Sequence, residues 1–315
     1  MIEQVGEMNT KDILIARRWS KLEHDAQRLH KTEKEMIAEY RKLGLEERMM
    51  GSHKRQMESL NFIRKAIGEV EVVAGTELTQ EVVERYVGGR VIALGGDGHF
   101  SFVSHFITDQ TIIGVNADSE KSTGALLEFT PESLVESGCL KTGSCPVEQW
   151  TRMQVILDGK VLATLPLADV YIGAKLSVDM SRYVVEFEGK QEEQKTSGLL
   201  VATGTGSTGW YSKMFQTIYQ NRDDFSRTDP GARFIVREEP GFDTAYFGED
   251  HPKLSRYDIL KGRIAPDSQL IIHSLTDEGI VSIDSYRDLM FDFNRGATVQ
   301  IFPSDKPLSV LKAAA

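Results

Sequence analysis

Cysteine is nearly absent from this chain: 315 residues hold only Cys139 and Cys145. Two are too few for a disulfide framework, and neither has histidine or cysteine companions at zinc spacing, so both read as ordinary thiols. Also missing is any apolar run near the roughly 18 residues that cross a bilayer. The opening Met1-Ile2-Glu3-Gln4-Val5-Gly6-Glu7 has neither a basic nor an apolar targeting region, so no membrane partner is expected and the cytoplasm is the expected compartment. Positive charge is short as well. A formal net charge of -10 argues against nucleic acid as a partner while allowing a local basic pocket for a nucleotide. No internal repeat or low-complexity tract occurs, and the turn Gly95-Gly96-Asp97-Gly98 fits neither the Walker A nor the GxGxxG pattern.

What is present suffices for two domains, since 40% of the residues are hydrophobic and the chain is long enough to bury two moderate cores. The first half alternates. Residues 13–16, 70–73, 91–94 and 111–115 read as strands, with helical patterns at 77–87 and around 100–107 between them. That alternation predicts an α/β domain with a parallel sheet, which binds ligands at the carboxyl ends of its strands. A charged excursion follows the first strand: one helix from the Ser20/Glu23 capping box to Gly44, then a second over 46–67. On the latter, His53 reads as a packed or surface residue.

From about Pro146 the pattern becomes β-rich, with strand-like runs at 151–157, 160–164, 169–172, 183–188, 198–203 and 269–274. Asp158-Gly159 and Glu188-Gly189 punctuate them as hairpin turns. The expected domains are 1–145, to which part of 285–312 returns, and 146–284, with 313–315 as an appended tail. Arg237-Glu238 and Glu249-Asp250 read as solvated loop residues.

Two glycine-rich turns carry the chemistry. The strand over 91–94 stops at Gly95-Gly96-Asp97-Gly98, where glycines admit a ligand close to the backbone and the free amides of a starting helix attract anions. A passive phosphate cradle would not choose a carboxylate. Asp97 therefore suggests a base that takes a hydroxyl proton or a group that holds Mg²⁺, although Asp-Gly is also ordinary turn chemistry. The second turn, Thr203-Gly204-Thr205-Gly206-Ser207-Thr208-Gly209-Trp210, combines small hydroxyls, glycines and an aromatic, which suits a nucleoside. Its alternative is a helix capped by Ser207 or Thr208 with Trp210 in the core.

Three separated stretches together resemble the ATP-dependent NAD kinases, the mitochondrial-type branch in particular. They are Gly95-Gly96-Asp97-Gly98, the run from Ile113 through Asn116, Asp118 and Ser119 to Gly124, and Gln194-Lys195-Thr196-Ser197-Gly198 leading into the Thr203–Trp210 turn. The resemblance implies an N-terminal α/β domain, a β-rich second domain, ATP with Mg²⁺ as donor, NAD as acceptor and a homodimer or higher homo-oligomer. It assigns Asp97 as general base on the adenosine ribose 2′-hydroxyl. Gly95, Gly96, Gly98, His99, Asn116 and Asp118 fall to the nucleotide phosphates, and Asp169, Ser197, Thr205, Thr208, Gly209 and Trp210 to NAD. No metal ligand is assigned.

Two positions depart from the family pattern. Leu167-Ala168-Asp169-Val170 stands where the family usually has Leu-Asn-Glu-Val, and loses hydrogen bonds worth about 0.5–3 kcal/mol. His99 replaces the usual Thr and reads either as a tolerated substitution or as a contact to the ATP tail. The first departure keeps two further functions open: a kinase of the same superfamily acting on a nucleoside, sugar, polyol or lipid hydroxyl, and a catalytically weak dinucleotide-binding regulator.

Overall fold

The computed structural model describes residues 12–142, 145–238 and 257–314; Met1 to Glu7, Glu249-Asp250 and Ala315 lie outside them. It is α/β, with a mostly parallel sheet and two antiparallel sheets. Two compact units divide the chain: the described residues up to Glu148 together with Leu308 onward, and Gln149–Pro307.

The first unit runs β1 (Ile13–Arg17), α1 (Lys21–Leu29), α2 (Glu33–Lys42), α3 (Glu46–Ile67), β2 (Glu71–Ala74), α4 (Gln80–Glu84), β3 (Arg90–Gly95), α5 (Asp97–Ser104), β4 (Thr111–Asn116), α6 (Pro131–Glu136), α7 (Cys139–Thr142) and β5 (Val147–Trp150). A returning strand, Leu308–Leu311, lies between β4 and β5, giving the order β2-β1-β3-β4-return-β5. Parallel register sets Val72, Ile15, Ile92 and Ile113 side by side. Ile15, Ile92 and Ile113 are buried beneath Leu60 and Ile63 of α3. Because β1, β3 and β4 run the same way, Arg17, Gly95 and Asn116 end at one edge.

The excursion differs from the single helix expected over 20–43. His30 takes a left-handed conformation (φ 53°) and closes α1. Thr32 and Glu35 then form a fresh capping box for α2, a signal as strong as the Ser20/Glu23 box that does open α1. The two helices fold back to pack Leu22, Ala26, Met36 and Tyr40 against Met49 of α3. The helix expected over 77–87 shrinks to α4, capped by Thr79. His53 is a packed residue, its Nδ1 2.8 Å from Ser20 Oγ.

The reading of the cysteines as thiols is also corrected. Cys139 and Cys145 are disulfide-bonded, their Cα atoms 5.3 Å apart, and both are buried in the same apolar cluster.

The second unit contains β6 (Met153–Leu157), β7 (Lys160–Val161), β8 (Asp169–Ala174), β9 (Ser181–Phe187), β10 (Lys190–Thr196), β11 (Leu199–Ala202), α8 (Trp210–Tyr219), β12 (Ala232–Val236), β13 (Lys261–Ile264), β14 (Leu270–Ser274), β15 (Gly279–Ile283), β16 (Met290–Asp292) and β17 (Thr298–Pro303). They form two antiparallel sheets, β10-β9-β14-β17-β6-β7 and β13-β12-β11-β8-β15-β16. Both sheets contribute to one apolar core. Both expected hairpin turns are present, with positive φ at Asp158, Gly159, Glu188 and Gly189. The strand β10 follows the second turn and escaped the sequence reading because Lys-Gln-Glu-Glu-Gln-Lys-Thr offers no apolar alternation. Period two places Leu199 and Val201 of β11 in the sandwich, while Leu200 and Ala202 meet Tyr211 and Phe215 of α8.

Candidate functional site

In the first unit the ends of β1, β3 and β4 surround a cavity of about 330 Å³, lined by Arg18, Ser52, Gln56, Gly95, Gly96, Asn116, Ala117, Asp118, Lys121 and Ser122. At Gly95 there is no room for a side chain, while Gly96 leaves the backbone open between Ser122 and Arg18. A Cβ on Gly95 would lie 2.8 Å from the His99 ring, and one on Gly96 would point toward Ser122 Oγ and Arg18 Nη1 at 3.4 and 3.8 Å. Asn116 braces the next loop, its Nδ2 donating to Ser122 O (2.9 Å) and its Oδ1 accepting from the Asp118 amide (3.2 Å). Gly124, at φ +64°, has room for no Cβ because Asn116 Nδ2 would be 2.7 Å away.

Asp118 lines this cavity, yet its carboxylate is engaged by α3. Ser52 Oγ donates to it at 2.6 Å, and Arg55 donates from Nε at 2.7 Å and from Nη2 at 3.3 Å. Burial alone would raise its pKa; the hydrogen bonds from Arg55 and Ser52, with the guanidinium charge, win and hold it below the usual carboxylate range. Ser59 Oγ also donates to Ala117 O at 3.0 Å. The helical excursion thus forms one wall of the cavity.

Asp97 is the first residue of α5, where a carboxylate is favoured by the helix dipole. Its two oxygens accept from the amides of Ala125 (3.1 Å) and Leu126 (2.7 Å). A carboxylate offers about four acceptor positions, so it keeps capacity for a hydroxyl proton. Gly98 follows it on the exposed side of α5.

His99 does not line this cavity, which corrects the ATP-tail reading. Its ring is buried and its Nε2 lies 2.9 Å from Ala16 O. Burial, with Arg18 nearby, lowers its pKa to about 4 against the raising effect of that hydrogen bond, so at neutral pH the uncharged ring donates Nε2–H to the strand carbonyl. It is part of the packing between α5 and β1.

The second unit holds the other expected residues. Thr203 Oγ1 donates to Leu167 O at 2.5 Å and the Thr203 amide to Ala168 O at 3.0 Å, while Gly206 sits so close that a Cβ would be 2.3 Å from Ala168 O. The turn is therefore pressed onto the start of β8. There Asp169 Oδ1 and Thr205 Oγ1 are both buried without a hydrogen-bond partner. Burial and then the nearby Asp284 charge push the Asp169 carboxyl up to about 7; Asp284 itself accepts from the amides of Leu167, Ala168 and Asp169.

Neither Ser207 nor Thr208 caps α8 through its side chain; the cap position is Gly209. Ser207 Oγ donates instead to Gly204 O and Phe225 O, and Thr208 and Gly209 are exposed. Trp210 stacks on Tyr171 with ring centroids 5.7 Å apart. Arg237 lies 5.3 Å from the Trp210 ring and 5.7 Å from Tyr171, so it is an aromatic-stacked cation rather than a purely solvated loop residue. Ser197 Oγ donates to Glu238 at 2.7 Å.

Sequence reading missed Arg18, Ser52, Gln56 and Lys121. A signal existed: Arg17-Arg18 directly follows an apolar strand, and Ser52, Arg55, Gln56 and Ser59 share one face of a helix. A larger cavity, about 440 Å³, lies in the second unit; Arg182, Lys195 and Arg295 there face Asp179, Asp277 and Glu278, and the charges cancel. Among the described residues no three His, Cys, Asp or Glu side chains converge to hold a metal.

No family model matches the chain. It is 28% identical to an NAD kinase of Chlorobium phaeobacteroides, over 38% of this chain and 42% of that protein. It is also 28% identical to the mitochondrial NAD kinase 2 of Rattus norvegicus, over 50% of this chain and 47% of that one. The chain thus spans about half or less of the curated relatives it matches. The structure resembles that of an NAD kinase from Archaeoglobus fulgidus in complex with ATP, with a TM-score of 0.60 at 15% identity over 96% of this chain and 94% of the other. It also resembles yeast NADH kinase complexed with NADH, with a TM-score of 0.58 at 13% identity over 78% and 66%.

Proposed function

We propose, from the premise that this chain is a distant member of the NAD kinase family, that it transfers the γ-phosphate of ATP to the adenosine ribose 2′-hydroxyl of NAD or NADH. One observation carries the reading: a glycine floor, the start of α5 and two cations, Arg18 and Lys121, meet at the carboxyl edge of a parallel sheet, with Asp97 heading the same helix.

Phosphoryl transfer asks the protein mainly for positioning and charge stabilisation. Asp97 would take the proton of the ribose hydroxyl as its oxygen bonds to the γ-phosphorus and ADP leaves. The amides of Ala125 and Leu126 hold its carboxylate in place at the start of α5. Among the described residues the chain offers no metal cage of its own. Mg²⁺ would come with the donor phosphates, the usual arrangement for this ion, and no residue is assigned to it.

Asp169 and Thr205, with their orphaned oxygens, are the polar groups proposed to bind the acceptor, and Trp210 with Arg237 the stacking surface beside them. The short carboxylate of Asp169 beside Ala168 supports a second reading, in which the acceptor hydroxyl belongs to another nucleoside-bearing compound. Purified chain incubated with ATP, Mg²⁺ and a panel of NAD⁺, NADH, nucleosides and polyols decides between them by product mass. NADP⁺ or NADPH formation that falls about 10²–10⁴-fold in Asp97→Asn supports the first; turnover of another acceptor alone selects the second. Binding without turnover of any acceptor removes both.

A further inference from the structure

The cavity at the ends of β1, β3 and β4 has an unbalanced charge. Its one carboxylate, Asp118, is already matched by Arg55. Arg18 and Lys121 line the same space, and among the described residues neither side chain forms a hydrogen bond or ion pair. Lys121, at the exposed rim, is held below its usual pKa by partial desolvation first and then by repulsion from Arg48, Arg55 and Arg18, against the attraction of Asp118. Cations gathered this closely with one committed counter-ion are unfavourable until an anion joins them. The two come from different segments, Arg18 from the end of β1 and Lys121 from the loop after β4, and between them lies the Gly95-Gly96 backbone, free of side chains.

We propose that Arg18 and Lys121 form a two-sided clamp for the phosphate chain of the donor, and that Arg55, through Asp118, is a positioning residue that holds the Lys121 loop against α3. The identity of the donor as a nucleoside triphosphate rests on the kinase reading above; the clamp itself requires only a linear polyphosphate. Asp118 then faces α3 rather than the ligand, and its role is to set where Lys121 stands.

The test is calorimetric binding of inorganic tripolyphosphate and of MgATP to the full chain, beside steady-state KM values for ATP and for the acceptor. Arg18→Gln and Lys121→Gln are exposed substitutions, so circular dichroism should match the wild type. Each should weaken tripolyphosphate about 10- to 100-fold, the scale of a lost charge-assisted hydrogen bond. The KM for ATP should rise with the acceptor KM little changed, and Lys121→Arg should restore most of the binding. Arg55→Gln should weaken tripolyphosphate less than Lys121→Gln does, and the two together should be less than additive. Wild-type protein that fails to bind tripolyphosphate, or Gln variants that bind it as well as wild type, overturns the clamp even if NADP⁺ is formed. Clamp-dependent tripolyphosphate binding without phosphorylation of any acceptor leaves the clamp standing and removes the kinase reading.

Discussion

Arg55 of α3 and Asp118 at the end of β4, 63 residues apart, are joined by hydrogen bonds of 2.7 and 3.3 Å. With Ser52 on Asp118 and Ser59 on Ala117 O, this pair ties a charged helical excursion to the loop that walls the cavity at the ends of β1, β3 and β4. The outer flank of Arg55 also meets Glu120 at 2.9 Å, but that partner is 70% exposed, so screening leaves it little weight.

Removing Arg55 takes away two of the three side-chain hydrogen bonds that Asp118 accepts among the described residues, leaving the one from Ser52. Arg55→Met should therefore destabilise the protein by about 1–3 kcal/mol in urea unfolding, and Arg55→Met with Asp118→Asn should cost less than the two single changes added together. The pH dependence has a definite sign. The folded pKa of Asp118 is depressed, so its contribution is present above the ordinary carboxylate value and is lost as pH falls through the lowered one. Wild type and Arg55→Met should converge on acidification from pH 7 toward 3. A constant gap across that range sinks the assignment.

The parallel sheet and its glycine turn were legible because they rest on local signals: apolar runs of four, a Gly-Gly-Asp-Gly stop, and capping residues. Ser20/Glu23 was read and Thr32/Glu35 was not, although they are the same device, since a continuous apolar spacing masked the break at His30. The polar strand Lys190–Thr196 was illegible for the opposite reason; its place is fixed by pairing with β9 and not by its own composition. Around the cavity, residues within the glycine motifs carry a local signal, and those brought in from other segments do not. Spacing puts Ser52 and Gln56 on one helix face, but they and Arg18 become neighbours of Gly96 only through the register of β1 with β3 and the packing of α3. His99 shows the converse: a motif position that the fold turned inward.

The Cys139–Cys145 bridge closes a short loop, with a sequence separation of 6. Loop-closure entropy for so few residues is worth about 2 kcal/mol. Denatured, unreduced protein should show no free thiol toward Ellman's reagent, and reductant should lower the urea midpoint by a corresponding amount. Cys139→Ser with Cys145→Ser should sit at the reduced midpoint and ignore reductant. Two titratable thiols in the unreduced denatured chain would restore the sequence reading.

Asp169 supplies the other pH signature. Its carboxyl is raised from 3.8 to about 7 by burial first and by Asp284 second, so between those values the folded state holds a proton that the unfolded state has released. Stability linked to this group is complete below the unfolded value and is lost as pH rises through the folded one, with a slope of up to about 1.4 kcal/mol per pH unit. Asp169→Asn keeps the shape and removes the titration. It should therefore melt at a higher temperature than wild type at pH 8.5, with the advantage shrinking steadily toward pH 5. Asp284 is the wrong residue to change, since its carboxylate accepts three backbone amides and losing it would disturb the start of β8 directly. If the two melting curves keep the same separation from pH 5 to 8.5, Asp169 is ionised throughout, and the carboxylate must then have a counter-charge or donor that its buried, unpartnered Oδ1 does not have in this fold.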